Sequence, residues 1–109
     1  MMLRRQKIKI APGYPVTEHH ETRTEYGTPY EAYASIYPQT DGMTAQMYGL
    51  HPDDMRLLIL PRQYEIKAMD GVWLPGDDPG MSPPWEVIGA PVYSRHTSVT
   101  LRRRVIFGG

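Results

Sequence analysis

Proline decides first what this chain can become. Eleven prolines are spread through 109 residues, recurring roughly every ten positions. Each removes a backbone N–H and fixes φ, so no long helix fits between them. The intervals hold residues suited to pleated surfaces: eight tyrosines and two tryptophans stand against one phenylalanine, with Val, Ile and Thr throughout. The expectation is an all-β chain with at most one short helix, in one domain with a single modest core.

Local patterns sharpen this. "RRQKIKI" alternates, Ile8 and Ile10 facing one way and Lys7 and Lys9 the other, the period of a strand with one wet face. "APGYP" breaks it. Thr22–Tyr26 is polar and β-prone, and Gly27 to Pro29 make a turn. "YEAYASIYP" reads as a strand ending at Pro38, with Tyr30, Ala32, Ala34 and Ile36 on one face and Tyr33 and Tyr37 on the other. "MRLLIL" reads as a buried strand that stops at Pro61. In "YEIKAMDGVWL", Tyr64, Ile66 and Ala68 alternate with Glu65 and Lys67, and Asp70-Gly71 supply a type I′ turn returning through Val72, Trp73 and Leu74. "WEVIGAPVY" and "HTSVTLRRRVIF" add two strands, the last with Val99 and Leu101 on one face. Six or seven short strands in this length predict a small barrel or sandwich. Residues 38–54 show no clean period, although Thr44 to Tyr48 allow a helical turn or a short strand. Long loops in compact domains are usually functional or mobile.

Side-chain chemistry argues against an enzyme. Cysteine is absent, which removes disulfides, thiolate metal sites and thiol nucleophiles together and suits a reducing cytoplasm. The acidic loop "PGDDPGMSPPWE" has two adjacent carboxylates followed by prolines, not the alternating oxygen ligands of a Ca²⁺ loop. It reads as a stiffened connection, with Trp73 and Trp85 leaning inward from the flanking strands. "EHHE" places His19 and His20 on opposite faces of a strand, where they cannot easily share an ion. His51 and His96 have no partnered acid or nucleophile nearby in sequence. Neither a nucleophile elbow nor a phosphate loop occurs, so no catalytic residue, metal or cofactor is expected. No apolar run reaches membrane-spanning length and the N-terminus lacks a signal-peptide core, so a soluble, unprocessed chain without a membrane partner is expected.

Charge is balanced overall, with 12 basic and 12 acidic residues, but unevenly placed. Residues 1–10 carry Arg4, Arg5, Lys7 and Lys9 without an acid, and residues 93–109 carry Arg95, Arg102, Arg103 and Arg104 without one. Residues 11–54 hold seven acids and one base. Basic ends around an acidic middle can meet across subunits, and head-to-tail contacts of that kind close into rings. Arg4, Arg5, Arg102, Arg103 and Arg104 are therefore candidate subunit contacts. In an alternating strand "LRRRV" turns Arg103 away from Arg102 and Arg104, so the three cannot form one patch. Contact with DNA phosphates is the other functional reading of such clusters, and solvated strand faces are the plain one.

The order of features resembles a known family. A basic opening strand, "EYGTPYEAYASIYPQT", "YGLHPDDMRLLIL", the "MDGVWL" turn, "PPWEVIGAPVYSRH" and a closing "VTLRRR" follow one another as in the head-completion, or stopper, proteins of the tailed-bacteriophage head-to-tail connector. The similarity extends over nearly the whole chain and is one of layout. It implies a small β-barrel with a long flexible loop, assembled as a ring of copies under the portal-bound adaptor. Such a ring closes the channel on packaged double-stranded DNA and offers a surface to the tail-end protein, within a virion assembled in the host cytoplasm. It also implies that Thr40–Met55 is the channel plug. Thr40, Asp41, Gly42, Thr44 and Gly49 there permit more than one backbone arrangement; Met43, Met47, Tyr48 and Leu50 can stack on neighbouring copies. Asp41, Asp53 and Asp54 would repel phosphates, and Ala45, Gln46, His51 and Pro52 complete the stretch ending at Met55. The alternatives are another connector or tail-completion ring component, and an OB-like single-stranded nucleic-acid binder using Tyr and Trp platforms.

Overall fold

A computed structural model of the chain describes residues 5–38, 46, 47, 49 and 51–104. Those residues form eight strands: β1 (Gln6–Ala11), β2 (Gly13–Glu18), β3 (Glu21–Tyr26), β4 (Tyr30–Pro38), β5 (Met55–Pro61), β6 (Gly71–Trp73), β7 (Trp85–Tyr93) and β8 (His96–Arg103). A 3₁₀ turn, Pro52–Asp54, leads into β5. Six strands close an antiparallel barrel in the order β1-β4-β5-β8-β7-β6, and β2 and β3 stand apart as a two-stranded sheet. The small all-β barrel expected is present, with eight strands in place of the six or seven foreseen.

Alternation builds the interior. Ile8 and Ile10 of β1, Ala32 and Ala34 of β4, Leu58 and Leu60 of β5, Val72 of β6, Trp85 and Val87 of β7, and Val99 and Leu101 of β8 form one buried cluster. Small alanines on β4 face the larger side chains, which lets a narrow barrel fill without voids. The short β6 completes closure by pairing Val72 with Ile10 on one side and with Trp85 on the other. "MRLLIL" is a strand as expected, but only Met55, Leu58 and Leu60 are buried, while Leu57 and Ile59 are half-buried. In the last strand, Val99 and Leu101 share the inner face.

Three local expectations change. "APGYP" breaks the opening strand at Ala11 as expected, but β-structure resumes at Gly13 and Pro15 lies inside β2, opposite Thr24. His19 and His20 are not strand residues on opposite faces. They are the two central residues of the β2–β3 turn, with φ of 50° and 68°. Both positive values are those of the mirror-image turns that match strand twist, and histidine is among the non-glycine residues that enter this region.

The third correction is the largest. Tyr64–Ala68 is not a strand, and Asp70-Gly71 is not a hairpin turn. Residues 62–70 form an irregular loop with Met69 at φ 78° and Asp70 1% exposed. The alternation that imitated a strand comes from Ile66, which enters the core, and Tyr64, which packs against it. The Asp70 carboxylate decides the loop's shape. It accepts hydrogen bonds from the Gly13 N–H (3.1 Å) and the Lys67 N–H (3.1 Å), and from the Lys67 ammonium at 2.8 Å. Its main chain exchanges further bonds, Val87 N–H donating to the Asp70 carbonyl at 2.9 Å. A buried carboxylate among donors satisfies amides that no strand partner reaches.

Two glycines allow the approach. A Cβ on Gly13 would land on the Met69 carbonyl oxygen, and one on Gly71 would come within 2.7 Å of the Tyr26 ring and also strike Pro83. Asp70 and its neighbours thus join three segments: the hairpin base, the 62–70 loop and β6. The Tyr30 hydroxyl adds a tie to the same loop, donating to the Glu65 carbonyl at 2.8 Å. Burial, then the charges of Asp70 and Glu65 and the neighbouring Tyr64, push its pKa up to about 12 from 10.0.

Asp70→Ala is expected to lower stability by about 3 kcal/mol, because it strands the buried Gly13 amide and the part-buried Lys67 amide, and Gly13→Ala to be destabilising too; thermal and urea melts measure both. The Tyr30 contribution follows from its raised pKa. It is whole below about pH 10, the ordinary value, and is lost as pH rises through about 12. An alkaline stability profile is expected to fall across that window, and less steeply in Tyr30→Phe.

Candidate functional site: an arginine-capped barrel end and a projecting hairpin

Strand directions sort the connections to two ends. The β2–β3 hairpin, the 62–70 loop and the β7–β8 turn join strands at one end, since Ala11 pairs with Gly71, Ile10 with Tyr30 and Pro61 with His96. The segment between β4 and β5, the 74–84 loop and the end of β8 belong to the other, where Pro38 pairs with Arg56, Met55 with Arg102 and Trp85 with Arg103. The expected plug segment and the expected arginine contacts therefore leave the barrel at the same end.

There they meet. Trp85 is 3% exposed although it lies at the start of β7, because two guanidinium groups cover it. Arg103 sits 4.7 Å and Arg56 5.0 Å from the centre of its ring. Cation–π attraction and the flat fit of guanidinium on indole favour this stack. Both arginines also reach the 3₁₀ turn. Arg56 donates to the Asp53 carbonyl (2.9 Å) and the Met55 carbonyl (2.7 Å), while Arg103 Nε lies 3.7 Å from the Asp54 carboxylate. The returning end of the segment is thereby fastened to the barrel rim.

The other C-terminal arginines are engaged within the chain. Arg102 pairs across the strands with Glu86, a carboxylate 15% exposed. Arg104 donates to the Pro83 carbonyl (2.6 Å) and the Ser82 hydroxyl (2.8 Å) and lies 5.0 Å from the centre of the Tyr26 ring. Arg103 turns onto Trp85 while Arg102 turns onto Glu86, so the three heads make separate contacts. Arg5 is exposed, and Arg4 lies outside the described residues.

Of the expected plug residues, Thr40, Asp41, Gly42, Met43, Thr44, Ala45, Tyr48 and Leu50 lie outside the described residues. Gln46, Met47 and Gly49 are exposed, Met47 at 83%, and the Gly49 N–H donates to the Gln46 carbonyl at 3.0 Å. His51 and Asp53 form an exposed pair, Nδ1 to Oδ2 at 3.4 Å. Met55 is fully buried and belongs to the barrel.

The "GDDPG" carboxylates bond their own loop. Asp77 accepts the Leu74 N–H at 2.8 Å and Asp78 the Gly80 N–H at 2.8 Å. Trp73 is buried but not inside the barrel, which corrects the expectation that it leans inward. It pairs with Lys9 on the outer face of β1 and β6, and its indole N–H donates to the Met81 carbonyl at 3.0 Å under the folded-back loop. His19, His20 and their flanking glutamates sit at the hairpin tip, exposed.

Sequence reasoning missed Arg56 and Trp85 as partners of Arg103. The available signal was a tryptophan opening one strand and an arginine second in another, which acquires meaning only once the register is known. No protein-family model, curated protein sequence or solved structure matches the chain.

Arg103→Ala is expected to leave the barrel folded but expose Trp85, red-shifting its fluorescence, and to cost about 1–2 kcal/mol through the lost stack and packing. An Arg56→Ala/Arg103→Ala double variant should also speed proteolysis around Asp53 and Asp54, measured by limited digestion.

Proposed function

We propose that the chain is a structural subunit of a tailed-phage head-to-tail connector, a head-completion protein whose copies form a ring under the portal and adaptor. In this reading residues 40–55 close the channel on packaged DNA and the ring presents a surface to the tail. The observation that carries the reading is the mounting of this segment. It leaves from Pro38 and returns at Met55, next to each other through the Pro38–Arg56 pair. It is pinned on its return by Arg56 and Arg103 against Trp85. A loop held at both feet on a closed barrel can change its own course without loosening the shell beneath it.

Physical features support the rest. A closed barrel has no continuous sheet edge to open, so strands resist separation under load along the whole circumference. Asp53, exposed at the segment's anchored foot, would repel phosphates, which suits a gate that holds DNA without gripping it. The single-stranded nucleic-acid alternative has less support. Of its Tyr and Trp platforms, Trp85 is covered by arginines and Trp73 by its loop, which among the described residues leaves the exposed Tyr14, Tyr33 and Tyr93 alone to stack bases. A neighbouring ring component of the connector remains the second reading, favoured by the same barrel.

Phage heads assembled with a variant lacking residues 40–49 are expected to package DNA and then release it, while the purified variant melts as the parent does. Retention of DNA by those heads at parental levels contradicts the plug assignment.

A further inference from the structure

Among the described residues the β2–β3 hairpin pairs only with itself, and its two outer edges differ in kind. Glu18 and Glu21 flank a two-residue turn, and register runs from that pair to Gly13 opposite Tyr26. In such a hairpin the flanking pair shares hydrogen bonds, and bonded and non-bonded pairs then alternate. Pairs 18–21, 16–23 and 14–25 are bonded inward. The bond from Gly27 N–H to the Pro12 carbonyl (2.8 Å) continues the same parity, and the close Thr17–Thr22 hydroxyl contact (3.0 Å) marks a non-bonded pair.

It follows which main-chain groups point outward: those of Gly13, Pro15 and Thr17 on β2, and of Thr22, Thr24 and Tyr26 on β3. The β2 edge is closed to pairing. Gly13 N–H is held by Asp70, and Pro15 has no N–H. The β3 edge has no proline, and among the described residues no backbone bond reaches Thr22, Thr24 or Tyr26 from outside. Of the hairpin's two edges, one is left open among the described residues.

We propose that this edge pairs with the β3 edge of a second copy, antiparallel about a two-fold axis at Thr24, joining the hairpins into a four-stranded sheet. Charge selects both partner and register. Glu21, Arg23 and Glu25 lie on one face of β3. Two-fold registers centred on residues 22 to 25 all use the outward groups. Centring on Arg23 sets Arg23 against Arg23 and Glu21 against Glu25, and centring on Glu25 sets Glu25 against Glu25, like against like. Centring on Thr22 or Thr24 sets Arg23 against a glutamate of the other copy. The Thr24 centre also uses more of the strand, pairing Thr22 with Tyr26 and Arg23 with Glu25 twice over, in the close non-bonded geometry where opposite charges stabilise.

The hairpin has reason to take a partner. Two strands without a core are marginal in water. Here Glu18 and Glu21 face each other directly, and Arg23 already lies 3.2 Å from Glu18 and 2.9 Å from Glu25. A second copy brings another cation to each Glu25. The closed β2 edge stops the sheet at four strands, so a finite dimer forms and not a fibre. A two-fold of this kind does not fit within a ring whose members all face one way, so the pairing belongs to the free chain. It does not rest on the connector reading.

Sedimentation of the purified chain up to about 1 mM tests this, with melting temperature as the folding control. A dimer is expected. Thr24→Pro, at an inward-neutral position opposite Pro15, should give a folded monomer. Arg23→Glu should weaken the dimer about tenfold or more, and Arg23→Glu/Glu25→Arg should restore it. A parent that stays monomeric or forms any assembly other than a dimer overturns the proposal. So does a folded Thr24→Pro dimer, or a charge-swapped double variant that stays as weak as the single one.

Discussion

One buried carboxylate holds the architecture in its observed form. Asp70 accepts the Gly13 and Lys67 amides and the Lys67 ammonium within a single site that is 1% exposed. The barrel alone would leave two parts of the chain unattached, the hairpin base and the 62–70 loop. The loop's last two residues bond the main chain of Val87, but the Gly13 and Lys67 amides have no strand partner. A charged acceptor with several lone pairs satisfies both at once, and Gly13 and Gly71 provide the space for it. From that fastening follow the insertion of Ile66 into the core, the closure of the β2 edge, and the position of Tyr26 over Gly71.

The opposite end is closed by different chemistry. Trp85 extends the core to the rim, and Arg56 and Arg103 cover it while holding the 3₁₀ turn. The charge of the basic terminal run thus goes mostly into internal contacts. Arg102 on Glu86 and Arg104 on Pro83 and Ser82 do the same. Reversal of either charge would disturb the barrel together with any surface contact. The two ends consequently divide the labour: one fixes the hairpin, the other fixes a long segment beside it in the proposed gate.

Legibility in the sequence followed range. The wet-faced alternation of Lys7 to Ile10, the small-residue face of Ala32 and Ala34, and Val99 with Leu101 are two-residue periods, and they read correctly without any partner. Failures occurred where a distant group overrode the local pattern. Tyr64 to Ala68 alternates like a strand, but Asp70 bends it into a loop. Pro15 reads as a breaker, but a non-bonded edge position needs no N–H. Trp73 reads as core, but a loop eight residues on provides an outer pocket for its indole. The candidate site fared likewise. Asp54 and Arg103 each stood out, one as a repelling acid and one as a contact, yet their meeting depends on β8 lying beside β5. Pairing between strands some forty residues apart is set by the whole sheet and leaves no mark in either segment.

Amide hydrogen exchange on the intact chain tests the central claim most directly. If the Asp70 carboxylate fastens hairpin and loop to the barrel, the Gly13 and Lys67 amides should exchange as slowly as those of the barrel strands, opening only when the fold opens as a whole. Exchange at those two amides as fast as at the exposed hairpin tip, with the barrel still protected, would contradict it.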